Sequence, residues 1–248
     1  MHSDVYDRLI ARNYDAVYSV LRDPSGDAAF YLQQARECGG PVLELGCGTG
    51  RTLLPIGRAG IDCVGLEPSS EMLAVLREKD PPPNLRLVQG CMQDLDLGDA
   101  RFPLITAPFR AFSHLLTVEE QLCALGRIRQ HLAPGGRFVF DLFDPKLERM
   151  ALLQEPEALA ATFQYEGCAV QRFDSVTRDP STQIITLRMR FAGGPPELTG
   201  STELHIRWFY RYEVEHLLSR AGFAHVTICG GFDGRPWTAG GETVISAR

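Results

Sequence analysis

The stretch Leu43-Glu44-Leu45-Gly46-Cys47-Gly48-Thr49-Gly50 constrains this chain more than any other. It joins Pro41–Leu45, which has the composition of a strand, to Thr52–Arg58, a predicted helix with Pro55 tolerated near its first turn. Glycines at such a junction let the backbone turn tightly and approach a ligand closely. Glu67 ends the next strand, Ile61–Leu66, about 20 residues on, where an acid accepts hydrogen bonds from ribose hydroxyls. A dinucleotide site asks for G-x-G-x-x-G, with the helix N-terminus facing pyrophosphate. Here Arg51 stands at the third glycine position, and Gly50 comes one residue early. Glu44, two residues before the first glycine, suits a cationic ligand and opposes a pyrophosphate.

The surrounding pattern predicts a doubly wound α/β fold. Tyr6, Leu9, Ile10, Tyr14, Val17, Tyr18 and Leu21 recur at helical spacing, ended by Asp23-Pro24-Ser25-Gly26. A second helix, Asp27–Glu37, stops at Gly39-Gly40. Then come a helix at Ser70–Glu78 and strands at Leu85–Gln89 and Phe102–Ala107. Thr117-Val118-Glu119-Glu120 has the form of a capping box, and Val118, Leu122, Leu125, Ile128 and Leu132 give the helix behind it an apolar stripe. Pro134-Gly135-Gly136 is expected to stop that helix before a fifth strand, Arg137–Leu142. Strands alternating with helices imply a parallel sheet covered on both faces.

The rhythm changes after Asp144-Pro145. A short helix near Lys146–Ala160 is expected, then three strand-like stretches, Thr162–Val176, Thr182–Phe191 and Thr202–Tyr210. They suggest an antiparallel lid over 145–210, inserted into a main domain formed by 1–144 and 211–248. A helix (Arg211–Arg220) and two strands (Ala224–Cys229, Thr243–Ala247) complete that domain.

Together, Glu44-x-Gly46-x-Gly48-x-Gly50 and the strand-terminal Glu67 resemble the first motifs of class I S-adenosylmethionine (SAM) dependent methyltransferases. The resemblance implies a seven-stranded sheet of order 3-2-1-4-5-7-6, its last strand antiparallel, with SAM as cofactor and S-adenosylhomocysteine as product. It implies cofactor contacts from Tyr14, Glu44, Gly46, Cys47, Gly48, Gly50, Glu67, Pro68, Met72, Cys91, Met92, Gln93, Ala107 and Phe109. Many relatives carry Asp at the position of Cys91, where it accepts the adenine amino group; a thiol is a weak acceptor, so adenine recognition passes to the Met92 backbone or Gln93.

Ala107-Pro108-Phe109-Arg110 departs from the [N/D]-P-P-[Y/F] of many nucleic-acid and protein amide methyltransferases and lies closer to small-molecule N- and O-methyltransferases. In several of those, the histidine matching His114 lies beside the methyl acceptor, as a base or a hydrogen-bonding group. Packing near the Thr117 helix is its structural alternative. Arg110, Phe143, Trp208 and Tyr210 are candidate acceptor contacts, with Trp208 and Tyr210 expected on one face of a lid strand. A nicotinamide-dependent oxidoreductase and a non-catalytic SAM-binding protein are the competing readings.

Composition narrows the partners. Net charge is −6 with no dense basic run, which argues against duplex DNA and anionic membrane. No apolar run reaches the ~20 residues of a membrane helix. The seven cysteines form no C-x-x-C pair, and the polar start lacks a signal-peptide core, so reduced thiols in the cytoplasm are expected. No metal is expected: Asp141 and Asp144 lack a third ligand. The expected partner is a small-molecule acceptor, with the chain a monomer or homodimer.

Overall fold

The computed structural model describes residues 8–21, 25–165 and 167–248. Tyr6 and the Asp23-Pro24 helix stop lie outside the described residues. The first elements are α1 (Arg8–Leu21), α2 (Ser25–Cys38), β1 (Val42–Leu45), α3 (Leu53–Arg58), β2 (Cys63–Glu67), α4 (Ser70–Arg77) and β3 (Leu85–Gln89). They are followed by β4 (Phe102–Ala107), α5 (Val118–His131), β5 (Leu132–Phe143) and α6 (Leu147–Met150). Strands β6 (Gln154–Tyr165), β7 (Cys168–Asp179), β8 (Ile184–Ala192) and β9 (Gly200–Arg207) come next, then α7 (Arg211–Arg220), β10 (Val226–Cys229) and β11 (Glu242–Ala247).

The main sheet has the order β10-β11-β5-β4-β1-β2-β3. Pairings from β5 through β3 are parallel, and β11 runs antiparallel to both β5 and β10. The sequence order reverses between β1 and β4, so the carboxyl ends of these strands flank a crevice. Both faces are covered, as near-continuous apolar strands require. Leu125 and Ile128 of α5 and Leu217 and Leu218 of α7 pack on one face with Phe138 and Phe140. Tyr31 of α2, Leu53 and Ile56 of α3, and Leu73 and Leu76 of α4 pack on the other.

The capping box forms as expected: Thr117 Oγ1 accepts from the Glu120 N–H, and Glu120 Oε2 accepts from the Thr117 N–H. Val118, assigned to the apolar stripe, is instead 42% exposed. It sits at the first position of α5, where the turn has not yet met the sheet; the buried face is Gln121, Ala124, Leu125, Ile128 and His131. Gln121 is accommodated because its amide donates to the Leu115 carbonyl at 2.9 Å. Pro134-Gly135-Gly136 lies inside β5 rather than before it. Leu132 already pairs with Phe102, and the register shifts between Phe102 and Leu104, which absorbs the irregular residues.

The second sheet, β6-β7-β8-β9, is antiparallel throughout and corrects the expected helix at Lys146–Ala160. Only Leu147–Met150 is helical; Gln154–Tyr165 is an edge strand. Its Ala, Leu and Glu favour a helix locally, but pairing with β7 overrides that preference. Pro156 is tolerated because it falls at a register shift between Glu155 and Ala158 on an edge. Thr162–Val176, read as one strand, is the hairpin of β6 and β7, with Gly167 at φ +82° in its turn. The lid sheet thus has four strands where three were expected. Helix α1 packs on β6, β9 and α4, burying Ile10, Ala11 and Val17 against Met72, Phe163, Met189 and Leu204. Leu21, placed on that stripe by its spacing, is 40% exposed at the helix end.

Candidate active site

β1 is buried along its whole length and runs into the glycine loop. The Gly46 and Cys47 N–H groups both donate to the Leu66 carbonyl, at 2.8 and 3.1 Å, and this folds the loop over the end of β2. Gly46 and Gly48 have φ of +69° and +53°. A Cβ on Gly46 would lie 2.9 Å from the Ala111 Cβ, so glycine lets the segment after β4 close on the loop. A Cβ on Gly48 would meet nothing within 4 Å; this glycine faces open space. Glu67, 4% exposed, receives the Gly48 N–H at 2.9 Å and the Ser69 N–H at 3.0 Å. Burial raises its carboxyl pKa, and those two N–H groups counteract the rise.

The loop opens onto a cavity of about 880 Å³, its open mouth included. Its wall takes Gly46 and Gly48 from the loop, Glu67 and Pro68 from the end of β2, and Met72 from α4. Cys91, Met92 and Gln93 follow β3, Phe109 and His114 follow β4, and Tyr14 comes from α1. Eleven of the nineteen predicted site residues are therefore brought together. Gly90, Pro108, Ala111, Leu115 and Glu120 line the same space without having been predicted to contact a ligand. Glu120 was legible only as a helix cap; its signal was a carboxylate six residues after His114, at the start of the next helix.

The other predicted residues lie elsewhere. Glu44 is sealed beneath the loop at 1% exposure, with Thr52 Oγ1 donating to it at 2.6 Å. Burial pushes its carboxyl up to about 8, so it is largely neutral at pH 7 and is not the charged loop acid expected from the sequence. Cys47, Gly50 and Ala107 are buried and do not line the cavity, and burial drives the Cys47 thiol well up. Arg110 turns to Glu242 at 2.8 Å and stacks over the Phe143 ring at 5.0 Å, so both predicted acceptor contacts are spent on each other and on β11. Trp208 and Tyr210 do not share a strand face, because β9 ends at Arg207. The Trp208 backbone is tied to Gln183 and its ring is buried; Tyr210 precedes α7, and its N–H donates to Glu213.

The segment after β4 is held by a buried carboxylate. Asp141, fully buried on β5, accepts from the Tyr31 hydroxyl at 2.7 Å, the Phe109 N–H at 2.7 Å and the Arg110 N–H at 3.2 Å. Phe109 and Arg110 have φ of +56° and +63°, a conformation non-glycine residues adopt at a cost. Two successive left-handed residues aim both N–H groups at one anion, here the protein's own. The Phe109 ring is gripped by Tyr18 at 4.9 Å and by the Arg51 guanidinium at 4.8 Å, itself paired with buried Asp27 at 2.6 Å.

His114 ends this segment. Burial drives its imidazole down to about 4 from an ordinary 6.5, so it is neutral at physiological pH. Between those values the unfolded chain binds more protons than the folded one, so stability falls as pH drops from 6.5 toward 4. We expect His114→Gln to remove up to about 3 kcal/mol of that loss. Urea midpoints at neutral and acid pH check it; an unchanged pH slope would refute the neutral histidine.

Comparison with known proteins agrees with this geometry. A family pattern described as a methyltransferase domain matches residues 42–136. The chain is 30% identical over 235 residues to the cypemycin N-terminal methyltransferase of a Streptomyces species, covering 95% of this chain and 93% of that protein. The solved CcbJ methyltransferase of Streptomyces caelestis superposes with a TM-score of 0.77 at 28% identity, covering 98% of this chain and 99% of its own. The SAM-bound structure of CalS10, an amino pentose methyltransferase of Micromonospora echinaspora, gives a TM-score of 0.71 at 27% identity over 95% and 96% of the two chains. This chain belongs to the SAM-dependent methyltransferase family. It is an enzyme, and its cofactor is SAM. Among the described residues, no helix is long and apolar enough to cross a membrane.

Proposed function

We propose that the enzyme methylates the nitrogen of an amine on a small molecule, an amino sugar or a free α-amine, in the cavity between the glycine loop and His114. The cavity fits SAM. Glu67 offers a buried acceptor to the ribose diol, the open face of Gly48 leaves room for the amino acid portion, and Pro68, Met92 and Leu115 supply apolar surface for a flat base. SAM supplies a methyl group already activated on a sulfonium. What remains for this chain is alignment of the acceptor and exclusion of water.

The observation that carries the choice of nitrogen is the place of His114, a histidine in the cavity wall that burial keeps from taking a proton. A histidine held near 4 is a feeble base. An unactivated hydroxyl needs a strong base before it attacks, whereas an amine needs only to shed its ammonium proton, which leaves at about 8 for an α-amino group. Neutral His114 accepts a hydrogen bond from the acceptor N–H and leaves the nitrogen lone pair free to point at the methyl carbon. Phe109 and Tyr14, in edge contact at 6.3 Å, close the side of the cavity against water. The nitrogen lone pair forms the new N–C bond, the S–C bond breaks toward sulfur, and the proton leaves the product ammonium to solvent. The names of the cypemycin and amino pentose relatives agree with a nitrogen acceptor.

Matched acceptors that differ only in an amino or a hydroxyl group test this. With SAM, mass spectrometry is expected to find the added methyl on the amine alone, and kcat/KM is expected to rise with pH along the titration of the acceptor amine. Equal methylation of the hydroxyl compound would sink the proposal. His114→Ala is expected to lower kcat/KM about 100-fold while leaving S-adenosylhomocysteine affinity within about twofold.

A further inference from the structure

The cofactor's base presents an exocyclic amine that must find an acceptor when it leaves water. Glu67 marks the ribose position in the cavity. The Gly90 N–H donates to the Glu67 carbonyl at 3.1 Å, so the residues that follow β3 are the next wall along from the sugar. That wall is Cys91, Met92 and Gln93, faced by Leu115 and Glu120. Cys91 is a weak acceptor and Met92 an apolar surface. Among the described residues lining the cavity, the carboxylates are Glu67 and Glu120.

Glu120 is placed there by its helix. It stands in the first turn of α5, which packs on the short 3-10 turn Met92–Asp94 directly after Cys91. Its Oε2 accepts the Leu116 and Thr117 N–H groups, both at 3.0 Å, which fixes the side chain at the cavity wall. Burial, then the charges of Asp94, Glu67 and Glu120, raise the Cys91 thiol, so the carboxylate acts on the adjoining wall.

We propose that Glu120 selects the base of the cofactor: its carboxylate accepts a hydrogen bond from the adenine amino group, in place of any acceptor at Cys91. The proposal rests on the assignment of this cavity to SAM and is independent of the acceptor's identity. It assigns a second task to a residue whose first is to cap α5. A 6-oxo purine would turn an acceptor oxygen toward a carboxylate, two acceptors with no proton between them, and be rejected.

The test is calorimetric titration of the full-length protein with S-adenosylhomocysteine and with its 6-oxo (inosine) analogue. The wild type is expected to favour the 6-amino ligand about 100-fold. Glu120→Gln keeps a side chain that serves in a capping box, so α5 remains capped. Its amide can turn either its oxygen or its nitrogen to the base. It is expected to lose about tenfold in affinity for S-adenosylhomocysteine and most of the preference. A wild type that binds both ligands equally overturns the proposal, and this reading needs no variant to fold. Retention of the preference in Glu120→Gln, with its loss in Gln93→Ala, overturns it in favour of Gln93. Binding of neither ligand to the wild type overturns the cavity assignment itself and the proposal with it.

Discussion

Gly48→Arg is expected to abolish SAM binding and methyl transfer in a protein that remains folded. The backbone at Gly48 has φ +53°, and a non-glycine residue there costs about 1–2 kcal/mol. That is a tolerable fraction of a domain's stability. No neighbour opposes a Cβ within 4 Å, so the new side chain meets no packed wall. It extends instead into the cavity that Gly48 helps line. A guanidinium there would exclude a ligand by volume and would place a positive charge where the proposed cofactor site takes a sulfonium and an ammonium. Calorimetry should find affinity lost by more than about 1000-fold, beyond about 4 kcal/mol. Circular dichroism should find the fold retained. Full-strength binding by the variant would place the cofactor elsewhere.

Asp141→Ala should be among the most damaging single changes outside the cavity. It deprives the Tyr31 hydroxyl and the Phe109 and Arg110 N–H groups of a buried acceptor at once. Each buried donor left unsatisfied costs about 1–3 kcal/mol, so a loss of about 4 kcal/mol is expected in chemical denaturation. On the proposed role of His114, the damage is expected to reach the chemistry as well. Without the carboxylate, the left-handed conformations of Phe109 and Arg110 lose the acceptor that both their N–H groups share, and the segment that carries His114 is expected to relax. Tyr31→Phe removes one of these bonds and should cost about 2 kcal/mol. The two substitutions together should cost less than their sum, because they share that bond. Additive losses would show that Tyr31 and Asp141 act separately.

Much of the cavity wall was legible in the sequence because its signals are local. Glycines in a strand-to-helix turn, an acid at the next strand end and a Thr-x-x-Glu cap each state a backbone requirement within a few residues. Gly46, Gly48, Glu67, Cys91 and Met92 meet in the cavity for that reason. Glu44 is instructive in the opposite sense. Its residue type was noticed and its position was right, but whether a carboxyl beside a loop is charged depends on the water around it. At 1% exposure, burial pushes it up to about 8.

By itself the sequence determined the doubly wound sheet, the glycine loop and the acid at the end of β2. Apolar periodicity and turn chemistry are properties of neighbouring residues, and they survive without knowledge of partners. Tertiary structure alone decided the rest. Gln154–Tyr165 became a strand because β7 lies beside it, against the helical preference of its residues. Arg110 left the cavity for Glu242, 132 positions away, and Asp141 found Tyr31 across 110. Glu120 reached the cavity wall because α5 packs on the turn after Cys91. An ion pair, a buried acceptor and a cavity wall are each made by residues far apart in the chain, so their energies are written only where the fold brings those residues together.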